Sequence, residues 1–329
     1  MGILVDALGR RIEYLRISIT DRCNLRCIYC LPSEGTRPIV FRDILTYEEI
    51  IRVVRMLVGW GIDKVRLTGG EPLMRRDITR LVRGLASIEG LLDLSLSTNG
   101  TRLAEMAFEL ARAGLSRVNI SLDSLDPRRY AEITRGSQLE RVWEGIEAAE
   151  RAGLRPVKIN TVIIRGLNDD EVLDFARLTL DRTLHVRFIE HMPIGARGVW
   201  EEKKVVSAAE IMDKVASLGP LLPVRDVPGQ GPAHYFQLPG AKATLGFITP
   251  LSHHFCDSCN RIRLTADGRL RPCLFSDSEL DLKELFRTGK SEEEISRLVK
   301  EAIEGKPKGH GLREGPIRGI SRPMSQIGG

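Results

Sequence analysis

Hydrophobic and polar positions recur with two different periods along the first part of this chain. Short stretches of period two, at residues 15–20, 64–68, 93–98, 117–122, 157–164 and 185–190, predict β-strands. Between them, apolar residues three and four apart at 46–58, 77–87, 103–113, 139–152 and 169–180 predict amphipathic helices. Regular alternation of strand and helix means a parallel sheet of the α/β class. Six such units fit an incomplete (β/α)6 TIM-like barrel, open on one side, better than a closed eightfold one. A doubly wound sheet is the competing architecture, but the glycine-rich dinucleotide fingerprint is missing after the first strand.

The strands carry a second message. In Lys64-Val65-Arg66-Leu67-Thr68 the residues at 64, 66 and 68 share one face, and the apolar pair at 65 and 67 faces the helices. Arg16/Ser18/Thr20, Ser95/Ser97, Asn119/Ser121/Asp123, Lys158/Asn160 and Arg187 repeat the pattern, so the face away from the helices is polar and repeatedly basic. An ordinary barrel interior is filled with branched apolar side chains, and buried cations are costly without anionic company. Glu71, Asp123 and Glu190 can supply some of it. The basic residues outnumber them, which favours a polyanion such as a triphosphate held by arginine forks.

Beyond residue 190 the pattern changes. Pro193, Gly195, Gly198, Pro220, Pro223, Pro228 and Gly229 mark linkers. Residues 207–218 read as one helix with Ser207 as N-cap, and 234–238, 243–248 and 261–264 as short strands of a smaller sheet-rich extension. The expected units are therefore a barrel over 1–225 and a C-terminal unit over 226–329.

Composition narrows the setting. A chain of 329 residues with 42% hydrophobic and 28% charged positions describes a globular protein with a large core. No apolar run approaches a membrane span and no signal-like stretch opens the chain, so a cytoplasmic location without a membrane partner is expected. The excess of 49 basic over 44 acidic residues agrees mildly with an anionic ligand. All six cysteines fall into two groups, Cys23/Cys27/Cys30 and Cys256/Cys259/Cys273, a pattern of metal sites in a reducing compartment rather than of dispersed disulfides.

Cys23, Cys27 and Cys30 stand at C-x3-C-x2-C spacing on the loop leaving the first strand's C-terminal end, where α/β barrels keep their chemistry. Structural zinc takes four ligands, whereas three thiolates on a 4Fe–4S cluster leave one iron free. Cys256 and Cys259, with Cys273 after thirteen intervening residues, give three thiols again. A zinc ribbon completed by His253 or His254 is the alternative there.

With Tyr29 before the third cysteine, and Thr68-Gly69-Gly70-Glu71-Pro72 after the next strand, the chain resembles the radical S-adenosylmethionine superfamily. The stretches 14–23, 65–77, 97–100, 119–126 and 255–268, with the terminal Gly328-Gly329, are similar to its GTP 3′,8-cyclase family, which serves molybdenum-cofactor biosynthesis. The resemblance implies two 4Fe–4S clusters, one on Cys23, Cys27 and Cys30, the other on Cys256, Cys259 and Cys273. It places Tyr29, Gly70, Ser121 and Met192 around S-adenosylmethionine. It assigns GTP to Arg16, Lys64, Arg66, Ser97, Lys158, Arg187, Arg261, Ile262 and Arg263, and gives Gly328 and Gly329 a catalytic role. The implied chemistry is hydrogen abstraction from the ribose C3′, attack on guanine C8 and reduction to 3′,8-cyclo-7,8-dihydro-GTP. Implied partners are a low-potential electron donor and a downstream cyclic pyranopterin monophosphate synthase; a homodimer is compatible with it.

Two other readings compete. A peptide-modifying maturase with an auxiliary cluster explains both cysteine groups but gives no reason for the basic face. A zinc and nucleic-acid-binding protein lacks the aromatic surfaces expected of it, aromatics being 5% of residues, so no nucleic-acid partner is expected. The basic stretch His310–Arg322 and the Gly-Gly end read as a flexible tail on composition alone. His185, His191, His234 and His310 show no ligand pattern.

Overall fold

A computed structural model describes residues 3–194, 200–229, 231–311 and 322–328. Gly195, Gly198, residues 312–321 of the basic stretch and Gly329 lie outside the described residues.

Six parallel strands follow one another in space as in sequence: β1 (Tyr14–Ser18), β2 (Lys64–Thr68), β3 (Asp93–Thr98), β4 (Arg117–Ser121), β5 (Lys158–Ile163) and β6 (His185–Glu190). Crossover helices α1 (Tyr47–Val58), α2 (Ile78–Ala86), α3 (Leu103–Arg112), α4 (Pro127–Thr134), α5 (Leu139–Arg151) and α6 (Val172–Asp181) cover the outer face. Leu15, Ile17, Val65, Leu67, Leu96, Val118 and Ile120 point at those helices and are buried in one continuous core. Thr46 caps α1 through a reciprocal capping box with Glu49. Ser207 and Glu210 form another at α7 (Ala208–Val215), as the N-cap reading required.

The C-terminal strands do not form a sheet of their own. β7 (Leu222–Val224), β8 (His234–Gln237) and β9 (Leu245–Ile248) join the barrel sheet beside β6, while β10 (Arg261–Leu264), β11 (Arg269–Arg271) and β12 (Leu280–Asp281) join it beside β1. The result is one twelve-stranded mixed sheet in the order β12-β11-β10-β1-β2-β3-β4-β5-β6-β9-β8-β7. An incomplete barrel has two margins of unpaired N–H and C=O groups, and parallel pairing of β10 with β1 and of β9 with β6 satisfies both. Helices α8 (Leu282–Arg287) and α9 (Glu292–Glu304) pack near β11 and β12, and a short α10 (Met324–Ile327) touches β1. No helix among the described residues is long and apolar enough to cross a membrane.

Candidate functional site

Strand register gathers the basic residues into one surface. Paired positions of a parallel ladder share a face, and Arg263 pairs with Arg16, Arg16 with Arg66, Arg66 with Ser95 and Ser95 with Arg117. One rung further along, Ser97, Asn119, Lys158 and His185 line up across β3 to β6, and Asn160 stands beside Arg187. Arg66, Lys158, Arg187 and Arg263 are buried, and Arg16, Lys64, Ser97 and Arg261 are half-buried. Ile262 lies in the core on the opposite face, so only its backbone adjoins this surface.

The acids proposed to balance these cations are engaged elsewhere. Glu71 accepts from the Leu73 and Asn99 amides and the Thr98 hydroxyl, and burial still pushes it up to about 7. Asp123 accepts from the Tyr29 hydroxyl and the Val162 amide, and burial raises it to about 6. Glu190 caps α7 at Ala208 and accepts from the Leu251 and Ser252 amides. Lys64 approaches Asp63, and Arg117, which the sequence reading overlooked, is forked on Asp93. Among the described residues no carboxylate lies within ion-pair distance of Arg66, Lys158, Arg187 or Arg263. Their neighbours are neutral: Arg66 donates to the Ser95 hydroxyl, and Arg187 to Asn160 at 2.7 Å and Asn119 at 2.5 Å. Lys158 donates to the Pro228 carbonyl and the Tyr235 hydroxyl.

The cations consequently feel burial and one another. Burial, then the neighbouring arginines, brings Lys158 down to about 6. Arg66 and Arg263 fall to about 10, burial leading in each case, and Arg16 falls well below its ordinary value through burial and then Arg263. Such a surface stores electrostatic cost that a polyanion relieves.

The first thiol trio lies past the C-terminal end of β1. Cys23, Cys27 and Cys30 are free and half-buried; burial, then the Asp123 charge, then those of Cys30 and Cys23, hold Cys27 well up. Their loop is pinned from below by α4: the Arg26 and Ile28 amides donate to the Thr134 and Ile133 carbonyls, and the Arg135 side chain donates to the Arg26 and Leu31 carbonyls. Gly70 supports it from the side. Its amide donates to Thr20, and a Cβ there would stand 2.3 Å from the Arg22 carbonyl oxygen. The glycine is thus required by the passage of the thiol loop itself. Tyr29 packs edge-on against His191 at 6.2 Å, Ser121 is exposed at the end of β4, and Met192 is half-buried just past β6.

The second trio sits at the opposite end. Cys259 precedes Arg261, which pairs with Tyr14 at the start of β1, while Cys23 follows the end of β1. A five-residue strand, roughly 17 Å long, separates the two levels. Arg261 donates to the Cys259 sulfur and stacks on Phe255. Burial raises the Cys259 thiol, but Arg261 and Lys306 outweigh it and bring it down to about 7. Lys306 is buried, donating to the Arg261 and Pro272 carbonyls. His253 and His254 are exposed, and among the described residues no three Cys, His or carboxylate groups converge on a single metal ion. Zinc would need thiolate sulfurs about 3.8 Å apart, whereas a cluster binds each thiolate at its own iron. His185 bonds Thr244 and burial brings it down to about 4, a packing role.

On composition alone the tail reads as flexible, yet among the described residues Ser325 and Gly328 lie against the ends of β1 and β2. Ser325 and Ile327 are buried, and Arg263 donates to the Gly328 carbonyl. Gly328 adopts φ +75°, and a Cβ there would lie 2.5 Å from the Thr68 hydroxyl and 3.3 Å from the Ser18 amide. Ser18 and Thr68 end β1 and β2, so Gly328 sits beside the arginine rung on the side of the first thiol trio.

A partial parallel barrel with three cysteines after its first strand defines the class. Residues 17–179 match the radical SAM superfamily model, and residues 184–312 match the model described as Molybdenum Cofactor Synthesis C. Members of that superfamily use a 4Fe–4S cluster and S-adenosylmethionine. The Streptococcus suis protein SuiB superposes with a TM-score of 0.62 over 94% of this chain and 69% of its own, at 14% identity, which speaks to the fold alone.

The GTP 3′,8-cyclase of Pelotomaculum thermopropionicum is 54% identical over 98% of this chain and 99% of its own. That of Moorella thermoacetica is 51% identical over 98% and 99%. The chain belongs to the GTP 3′,8-cyclase family.

Proposed function

We propose that this protein cyclises GTP to 3′,8-cyclo-7,8-dihydro-GTP inside the barrel, as the first step of molybdenum-cofactor biosynthesis. The observation that carries the substrate is the rung Arg263–Arg16–Arg66, its outer two arginines buried, with buried Lys158 and Arg187 beside it, placed between two thiol trios. Guanidinium forks suit phosphate oxygens, and the desolvated site strengthens each contact. In this reading Arg16, Lys64, Arg66, Ser97, Lys158, Arg187, Arg261, the Ile262 backbone and Arg263 hold GTP.

Three free, half-buried thiols at each end fit a cluster with one open iron. Cys23, Cys27 and Cys30 would hold the cluster that meets S-adenosylmethionine, with Tyr29, Gly70, Ser121 and Met192 around it. Cys256, Cys259 and Cys273 would hold the second. When bound, cluster and S-adenosylmethionine supply a 5′-deoxyadenosyl radical able to take a ribose hydrogen. The protein's share is placement and exclusion of water: the basic face fixes the nucleotide, Gly328 closes the space beside it, and the catalytic role is assigned to Gly328 and Gly329 together. Residues 1–225 act as the barrel unit and 226–329 as the unit bringing the second trio and the tail. A cytoplasmic location, a low-potential donor, a downstream synthase and a homodimer complete the reading; the six free thiols support the reducing setting.

The test is anaerobic reconstitution with iron and sulfide, followed by S-adenosylmethionine, dithionite and GTP. Loss of GTP coupled to 5′-deoxyadenosine release is expected. Cleavage of S-adenosylmethionine indifferent to GTP would overturn the reading.

A further inference from the structure

We propose that Arg322 is a positioning residue whose guanidinium, forked across Asp267 and Glu279, fixes the C-terminal tail inside the barrel. This rests on the reading above that the paired glycines serve the reaction.

Arg322 donates to Asp267 Oδ1 at 3.0 Å and Oδ2 at 2.9 Å, and reaches Glu279 at 2.8 and 3.0 Å. Both acids are prepared for it. Asp267 also accepts from the Thr265 hydroxyl, and Arg271 and Arg269 approach Glu279. All three partners are largely shielded from solvent, so this is a two-sided charge-assisted contact rather than a loose surface pair.

The tail needs such a fixture. α10 is four residues long, and a helix that short has no stability of its own. Terminal segments fray unless tied down. Asp267 lies in the turn between β10 and β11, and β10 carries the Arg263 that bonds the Gly328 carbonyl. One hairpin therefore holds both ends of the segment 322–328: Asp267 at its entrance and Arg263 at its tip, four positions apart. Neither Asp267 nor Glu279 belongs to the basic face, so nothing in nucleotide binding accounts for them.

The experiment compares the full chain with its Arg322→Ala and Arg322→Lys variants and with an Asp267→Asn, Glu279→Gln double variant. Release of C-terminal residues by carboxypeptidase is followed by mass spectrometry, beside melting temperature and GTP turnover. Arg322→Ala and the double variant are expected to release the tail at least tenfold faster and to lose at least tenfold in turnover. Half-saturating GTP should stay near the parent's, and Arg322→Lys should fall between; melting temperature should stay near the parent's in Arg322→Ala but drop in the double variant, which also takes Glu279 from the buried Arg271. Equal release rates in parent and folded variants would overturn the clamp. Faster release with unchanged turnover would leave the clamp standing and remove the catalytic reading of the glycines.

Discussion

Gly70 shows how little room the thiol loop leaves at the level of single residues. A Cβ 2.3 Å from the Arg22 carbonyl forces backbone to move, so Gly70→Ala should cost about 1–3 kcal/mol and displace Cys23. Thermal unfolding with iron content per chain measures both; full iron and an unchanged melting temperature would refute it. The basic face makes an opposite prediction. Arg66 is buried among like charges, so Arg66→Met should raise the melting temperature of ligand-free protein while raising half-saturating GTP at least about tenfold. If the variant is destabilised and binds GTP normally, the residue serves the fold. Lys158, brought down to about 6 by burial and its arginine neighbours, is neutral at about pH 8 and becomes charged when a triphosphate raises it again. GTP binding at about pH 8 should therefore take up about one proton, and affinity should weaken as pH rises above about 6, until it passes the raised value of the complex. Calorimetry in two buffers of different ionisation enthalpy reads this directly, and heats independent of buffer would contradict it.

Among the elements, α4 has the least obvious origin and a clear use. Its start was written in Asp126-Pro127, an N-cap followed by proline at the first helical position, but its weakly apolar sequence hid it. α9 opens in the same way, with Ser291 capping three glutamates. The carbonyls of Ile133 and Thr134, with the Arg135 side chain, make the floor on which the first thiol loop rests. Arg135→Ala removes two of those bonds from an exposed site, so melting should shift by only a few degrees while a chelator strips iron several times faster. Unchanged chelation kinetics would show that the floor is held by the backbone bonds alone. The six barrel strands and the helices at 46–58 and 207–218 were legible because period two and period 3.6 are local signals. Arg117 was legible too, since it alternates with Asn119 and Ser121.

For the molecule as a whole, long-range pairing was what the sequence could not disclose. Nothing local in Arg261–Leu264 announces that it will lie parallel to Tyr14–Ser18. Yet that pairing brings Arg263 beside Arg16 and sets the second thiol trio a strand's length from the first. The same holds for the acids. Glu71, Asp123 and Glu190 were plausible partners for the cations by count, and only their backbone and hydroxyl donors show that they are engaged elsewhere. Two thiol levels with a cationic surface between them suit the proposed placement, in which a nucleotide held by its phosphates would present its ribose to one end and its base to the other. The most direct measurement of that arrangement uses GTP deuterated at C3′ with the anaerobically reconstituted protein. The account predicts deuterium in the released 5′-deoxyadenosine, in step with GTP consumed; unlabelled 5′-deoxyadenosine from consumed, C3′-deuterated GTP would contradict it.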